Sequence, residues 1–302
     1  MRIATLAVAA LAALAPLAMP WTGEAQEDCP VEPELFAPGV ISGPKEEYRI
    51  TFTPDGRTAY FARADVSFLE SREATILVTR KTRNGWTEPE PASFSGTYPD
   101  IDPVITPDGK HLYFSSIRPV DGEPRTDVDV WVVDLRRDGT WGEPRHLGAV
   151  NRPDSDELYP TVARDGRLYV GSDRAGGLGG WDIWTAVPDG RGGHREATNV
   201  GAPVNSADWE FNPALTPSGR KLVFSRLGFT PDGGVEPPWS DLYAARRTST
   251  GFAQPDKVAI STEDYWEFHA SFSADGEWLY WIRVDDNGGD FYRVPTWSDA
   301  LS

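Results

Sequence analysis

Residues 100–116 read DIDPVITPDGKHLYFSS, and this stretch decides the fold. An acid opens a run of β-favouring side chains. Pro107-Asp108-Gly109 then supplies the backbone angles of a tight turn, and a second β-run returns. Four more copies follow the same grammar: 47–63 (EYRITFTPDGRTAYFAR), 157–173 (ELYPTVARDGRLYVGSD), 210–226 (EFNPALTPSGRKLVFSR) and 267–283 (EFHASFSADGEWLYWIR). Their turn glycines, Gly56, Gly109, Gly166, Gly219 and Gly276, are spaced by 53, 57, 53 and 57 residues. A period of this size marks a repeated supersecondary unit that buries its faces against its neighbours.

Working outward from the second copy, residues 101–106 and 111–116 form two strands and residues 129–133 a third. Residues 139–144 lead into a short outer strand at 145–147. Four antiparallel strands in about fifty residues make one propeller blade. The third strand recurs at 75–78, 182–184, 241–243 and 290–292, and the outer element at 85–89, 193–196 and 251–255. No long helical period interrupts them. The fifth copy lacks an outer strand, and residues 34–38 (ELFAP) resemble the missing piece. The expectation is an all-β chain: a single five-bladed β-propeller of four-stranded antiparallel blades. It spans residues 26–302, with repeats starting near 47, 100, 157, 210 and 267, and its N-terminal strand closes the ring. Closure removes exposed sheet edges.

The 302 residues carry a formal net charge of −17. Nucleic acid and anionic membrane surfaces need a basic footprint, so cationic ligands, metal ions or basic protein patches suit the chain better. The opening MRIATLAVAALAALAPLAMP has Arg2 followed by an apolar stretch to Leu17, with a small-residue cleavage site near Ala25. This reads as a secretory signal peptide over residues 1–25. Cys29 is the only cysteine, which excludes an internal disulfide. The expected address is the periplasm or the cell exterior, with no stable membrane insertion of the mature chain, and a monomer is expected.

The repeated motif is acid, aromatic or aliphatic residue, x, Pro, x, hydrophobic, x, Pro-Asp-Gly, then Leu-Tyr-Phe-x-Ser. It resembles the TolB-type, WD-like propeller repeats of bacterial envelope proteins. The third copy, running on through Gly176-Gly177-Leu178-Gly179-Gly180-Trp181-Asp182, is similar to repeats found beside outer-membrane-protein-A-like domains. The resemblance covers roughly residues 32–302. It implies a propeller that binds an envelope partner, without the extra N-terminal domain of TolB itself.

In a propeller the innermost strands line a central channel. Simple alternation groups Tyr48, Ile50 and Phe52 on one face and Glu47, Arg49 and Thr51 on the other. The acids Glu47, Asp100, Glu157, Glu210 and Glu267 would then ring one channel mouth. Inside them stands a second, non-uniform ring: Arg49, Asp102, Tyr159, Asn212 and His269. These ten positions are the candidate ligand-binding residues. A repeated acid also has an architectural reading, as an acceptor that fixes each blade junction. A third reading places Ca²⁺ among the converging carboxylates; otherwise no cofactor is expected. The glycine run at 176–180 lacks a following helix and Lys-Ser/Thr, so it reads as a loop.

Two functions follow. One is a non-catalytic propeller that binds an envelope protein or a small-molecule ligand at the channel mouth. The alternative is a five-bladed glycoside hydrolase, with Glu157 or Glu210 as acid and Asp102 as base. No catalytic constellation beyond those carboxylates is present, and the four histidines have no paired spacing for zinc.

Overall fold

The computed structural model describes residues 31–230, 234, 240–262, 264–285 and 288–296. The expected signal peptide lies outside the described residues. Five antiparallel sheets follow one another along the chain. Blade 1 comprises Glu46–Phe52, Thr58–Ala64 and Thr75–Thr82, with Gly85–Trp86 and Glu90–Pro91 both pairing the third strand. Blade 2 comprises Asp100–Ile105, His111–Ser116, Asp129–Asp134 and Arg145–His146. Blade 3 comprises Glu157–Val162, Leu168–Ser172, Asp182–Ala186 and Thr198–Asn199, and blade 4 Trp209–Leu215, Lys221–Leu227, Asp241–Arg246 and Asp256–Lys257. Blade 5 comprises Trp266–Phe272, Trp278–Asp285 and Gly288–Pro295, and its outer strand is Glu34–Leu35. Among the described residues the only α-helix is the single turn Phe68–Ser71.

The ring closes as the sequence predicts. Glu34 and Leu35 pair antiparallel with Arg293 and Tyr292, and the Phe36 amide donates to the Phe291 carbonyl at 2.7 Å. The buried Phe36 ring then meets Phe52 and Trp86 of blade 1 and Tyr280 of blade 5, with centroids 6.2, 6.1 and 4.9 Å away. One short segment thus completes the last sheet and fills the seam with the first.

The turn grammar has a direct physical basis. In blade 1 the Thr53 hydroxyl and the Arg57 amide both donate to Asp55 Oδ1; Asp108 and Asp275 repeat the arrangement. The five turn glycines have φ between +65° and +80°, a region closed to most side chains.

Two details of the sequence reading are corrected. The outer strands of blades 3 and 4 fall at Thr198–Asn199 and Asp256–Lys257, later than the glycine-led stretches at 193–196 and 251–255. Those stretches fold back on the end of the third strand, through the bridges Pro188–His194 and Arg247–Phe252, before the chain reaches the outer position. The face assignment also changes. Tyr48 packs with Tyr60, Ala62 and blade 2, whereas Ile50 and Phe52 pack with Phe61, Tyr280 and Phe291 towards blade 5. The two faces of each innermost strand therefore look at the two neighbouring blades, and the core lies between blades.

Candidate functional site

The face reversal comes from a bulge. In every blade the pairing of the innermost strand slips by one residue: between Tyr48 and Ile50, Ile101 and Val104, Leu158 and Thr161, Phe211 and Ala214, and Phe268 and Ser271. Each irregularity contains one non-glycine residue with positive φ: Arg49 (20°), Asp102 (56°), Tyr159 (60°), Asn212 (52°) and His269 (57°). They are five of the eight such residues among those described. A non-glycine residue held there costs about 1 kcal/mol or more. What the distortion achieves is re-aiming, because a bulge turns a side chain out of the pleat.

These five side chains meet across the channel. Arg49 Nη2 donates to the Pro213 carbonyl at 2.7 Å, linking blade 1 to blade 4. The Asn212 amide nitrogen lies 3.0 Å from His269 Nδ1. The same ring nitrogen is 3.2 Å from Asp102 Oδ1, but neither Asp102 oxygen is aligned for a hydrogen bond. The His269 ring stands edge-on to Tyr48 and Tyr159, at 5.5 and 5.6 Å. Arg49, Asp102, Asn212 and His269 are buried and Tyr159 is partly so. Burial lowers the Arg49 pKa to about 10 against the opposing pull of Asp102. Burial, reinforced by Asp102, pushes the Tyr159 hydroxyl well above its ordinary range. Several buried polar atoms here have no hydrogen-bond partner: Arg49 Nε and Nη1, both Asp102 oxygens and Asn212 Oδ1.

The five repeated acids have a different setting. Each is buried and paired with an arginine near the end of the next strand or just past it: Glu47–Arg63 (2.9 Å), Asp100–Arg118 (2.6 Å), Glu157–Arg174 (2.9 Å), Glu210–Arg226 (2.8 Å) and Glu267–Arg283 (2.8 Å). Sequence reasoning missed these arginines, although four of the five copies carry one at a corresponding place. Each arginine also donates to a carbonyl of the segment leading into its blade, at Ile41, Phe94, Val150, Val204 and Ile260. Acid, arginine and carbonyl together fasten each crossover to the blade it enters. Glu157 accepts from Ser155, Ser172 and the Arg152 amide as well, and Glu210 from both the amide and the hydroxyl of Ser206. Burial raises the pKa of Glu47 to about 8 and shifts Asp100, Glu157 and Glu210 in the same direction, with the arginines opposing.

The innermost strands all begin on one side of the ring, here the start face, and the Asp-Gly turns lie on the opposite turn face. Eight large apolar side chains are exposed among the described residues. Six belong to the start face: Val66 and Leu69 between the second and third strands of blade 1, Leu178 at the same place in blade 3, Tyr98 before blade 2, and Trp209 and Trp266 opening blades 4 and 5. The Trp209 ring rests against Phe229, centroids 5.2 Å apart, and over Gly180, where a Cβ would collide with the indole. The 176–180 glycine run is a loop as expected. Its Leu178 and Gly179 amides donate to the Asp182 carboxylate, which leaves no phosphate cradle. Among the described residues no group of three His, Cys, Asp or Glu side chains gathers as a metal-binding set.

No family model matches the chain, and no curated protein matches it. Solved structures do. An α-L-arabinofuranosidase from Lactobacillus brevis superposes with a TM-score of 0.56 at 15% identity, covering 88% of this chain and 94% of that one. A protein assigned as TolB from Agrobacterium tumefaciens gives 0.52 at 15% identity, over 86% and 80%. An α-L-arabinanase from Penicillium chrysogenum gives 0.52 at 15% identity, over 85% and 80%. At this identity the likeness is one of fold: the chain is a five-bladed β-propeller, and the structures it resembles include both a TolB-like protein and arabinose-releasing enzymes.

Proposed function

We propose that the chain is a non-catalytic binding propeller of the bacterial periplasm or cell exterior, and that its start face docks a protein partner. One observation carries this reading: among the described residues, six of the eight exposed large apolar side chains lie on that face. Clustered apolar groups on a soluble surface mark interaction sites, and tryptophan and tyrosine are the preferred anchors. The same face carries exposed Asp65, Glu70, Glu73, Asp154, Asp173 and Asp264, of which Asp65 pairs with Lys45 at 2.7 Å. The complementary partner presents apolar anchors flanked by lysine or arginine. The TolB-like neighbour agrees with an envelope setting.

The glycoside-hydrolase reading has less support. Glu157 and Glu210, its candidate acids, have both carboxylate oxygens occupied by donors, and each faces an arginine within 3 Å. Asp102 is the one carboxylate of the bulge ring, and a hydrolase of this type needs two.

The test compares capture of envelope proteins by the wild type, by a Trp209→Asp/Trp266→Asp variant and by Leu135→Asp on the turn face. A specific partner is expected with the wild type and with Leu135→Asp, and at least tenfold less of it with the double variant. Equal capture by all three refutes the start-face assignment. Release of sugar from arabino-oligosaccharides by the purified chain refutes the non-catalytic reading.

A further inference from the structure

The seams between blades repeat, and one of them departs from the rest. In four blades a tyrosine of the second strand, Tyr60, Tyr113, Tyr169 or Tyr280, meets an aromatic ring from the next blade or from the closing segment. Tyr60 accepts a hydrogen bond from Trp141 Nε1 at 3.0 Å, and Arg80 beside it pairs with Glu90. Tyr113 has Asp108 and Asp134 near it as well as Arg145, and Tyr280 has Arg293, which pairs with Glu34. At the seam of blades 3 and 4, Phe252 stands in the place of Trp141 and has no donor for the Tyr169 hydroxyl; the two ring centroids are 6.4 Å apart. A pocket of about 320 Å³ lies there, lined by Arg167, Tyr169, Arg247, Phe252 and the hydroxyl-bearing turn 248–250. Arg167 and Arg247 are the only charged side chains in the whole lining, in a chain of net charge −17. Both are partly exposed, and among the described residues neither guanidinium has a hydrogen bond or an ion pair. Arg247 lies over the Phe252 ring, 6.0 Å from its centroid. Asp165, the carboxylate that acts on Tyr169, accepts the Arg167 amide at 3.1 Å within its own turn and does not line the pocket. Burial raises the Tyr169 hydroxyl above its ordinary range while Arg247 and Arg167 both oppose it, so the two guanidiniums flank one hydroxyl.

We propose that this seam binds a small phosphate monoester, with the phosphate held by Arg167 and Arg247 and the body of the ligand against Phe252 and Val200. Two guanidiniums with no carboxylate in the lining balance the near-double charge of a phosphate monoester at neutral pH. The planar guanidinium fork also matches phosphate oxygens, two bonds at a time. The hydroxyls of Thr248, Ser249 and Thr250 line the same pocket and supply further donors. The volume stands at the low end of the range for small-molecule sites, which suits a ligand the size of one phosphorylated sugar. In the other seams a carboxylate already answers the basic group, so the same ligand finds no equivalent there. The site does not rest on partner docking at the start face.

Isothermal titration calorimetry of the chain with glucose 6-phosphate and glycerol 3-phosphate, at fixed ionic strength, tests the site; glucose and glucuronate serve as the neutral and singly charged controls. Saturable binding of at least one phosphate ester is expected, with none of glucose and at least about tenfold weaker binding of glucuronate. Arg167→Gln and Arg247→Gln should each raise Kd by about tenfold or more, the worth of one charge-assisted hydrogen bond. Arg137→Gln, at an exposed arginine of blade 2, should leave it unchanged. Both seam arginines are partly exposed and without ion pairs, so the variants should fold, and an unaltered melting temperature checks this. Absence of binding by both esters overturns the proposal, as does equal binding of glucuronate. An equal loss in Arg137→Gln overturns it too, because the attraction would then belong to the general surface and not to the seam. Partner capture at the start face is read separately, so the two proposals fail independently.

Discussion

Two rings of side chains, two residues apart in sequence, have opposite characters. The outer ring is uniform: an acid in every blade, an arginine against every acid, and a loop carbonyl against every arginine. The inner ring is different in every blade, strained in every blade, and poor in hydrogen bonds. Repetition marks what every blade needs in order to join its neighbour. Variation at a costly backbone position marks where the chain departs from its own pattern. Such departures, retained against strain and unsatisfied polar atoms, are where function is sought.

Removing one partner from the outer ring is the strongest way to break this contrast. Glu157→Ala strands Arg174 in a buried setting, and a loss of about 3–5 kcal/mol is expected in urea unfolding. A loss below 1 kcal/mol would reduce these pairs to ornaments of the fold. A smaller, pH-dependent change should follow from Glu47. Its carboxyl titrates near 8 in the folded chain, because burial outweighs the pull of Arg63, against an ordinary value of 4.5. The folded state thus holds its proton longer than the unfolded state does. The contribution is fully present below about pH 4.5 and is lost as pH rises through 8. Stability should therefore fall between pH 5 and 8, and Glu47→Gln should flatten that part of the profile. An unchanged slope would show that Arg63 keeps the carboxyl ionised. The smallest effect is expected in the inner ring. Asn212→Gly relieves a left-handed residue and loses one contact to His269, so the net change should stay within about 1 kcal/mol. A loss above 2 kcal/mol would make the bulge ring structural as well.

Much of the architecture was legible because its signals are local. The Asp-Gly turns, their period and the stray closing strand near Glu34 need no knowledge of distant contacts, and the structure bears them out. The inner ring was found for its variability, yet its cause was not seen. Hydrophobic alternation runs through 48, 50 and 52 without a break, so period-two reading puts Glu47 and Arg49 on one face. The bulge turns Arg49 into the channel and leaves Glu47 against Arg63. One sequence signal pointed to it: Pro103, Pro160 and Pro213 sit directly after the bulge residue, and proline inside a strand is confined to edges, strand starts and bulges. The arginine partners were legible too, since four of the five copies carry Arg63, Arg174, Arg226 or Arg283 at the end of the second run or one residue past it. Blade 2 hides the pattern by placing Arg118 two residues past the end of its copy, where it donates directly to Asp100 and to the Ser116 hydroxyl, as Arg174 does to Ser172 in blade 3. The exposed apolar face was the least legible. Trp209 and Trp266 directly precede the repeated acids Glu210 and Glu267, which lets the sequence suggest an aromatic rim, but Val66, Leu69, Tyr98 and Leu178 are scattered and only the blade topology brings them to the same face.

The most direct test of the contrast is a pair of double-mutant cycles measured by urea unfolding, one on Glu210 and Arg226 and one on Asp102 and His269. The expected coupling is about 2–3 kcal/mol for the outer pair and within about 0.5 kcal/mol for the inner pair. Equal couplings, or a stronger one between Asp102 and His269, would contradict the division of the two rings into one that fastens the propeller together and one that contributes little to its stability.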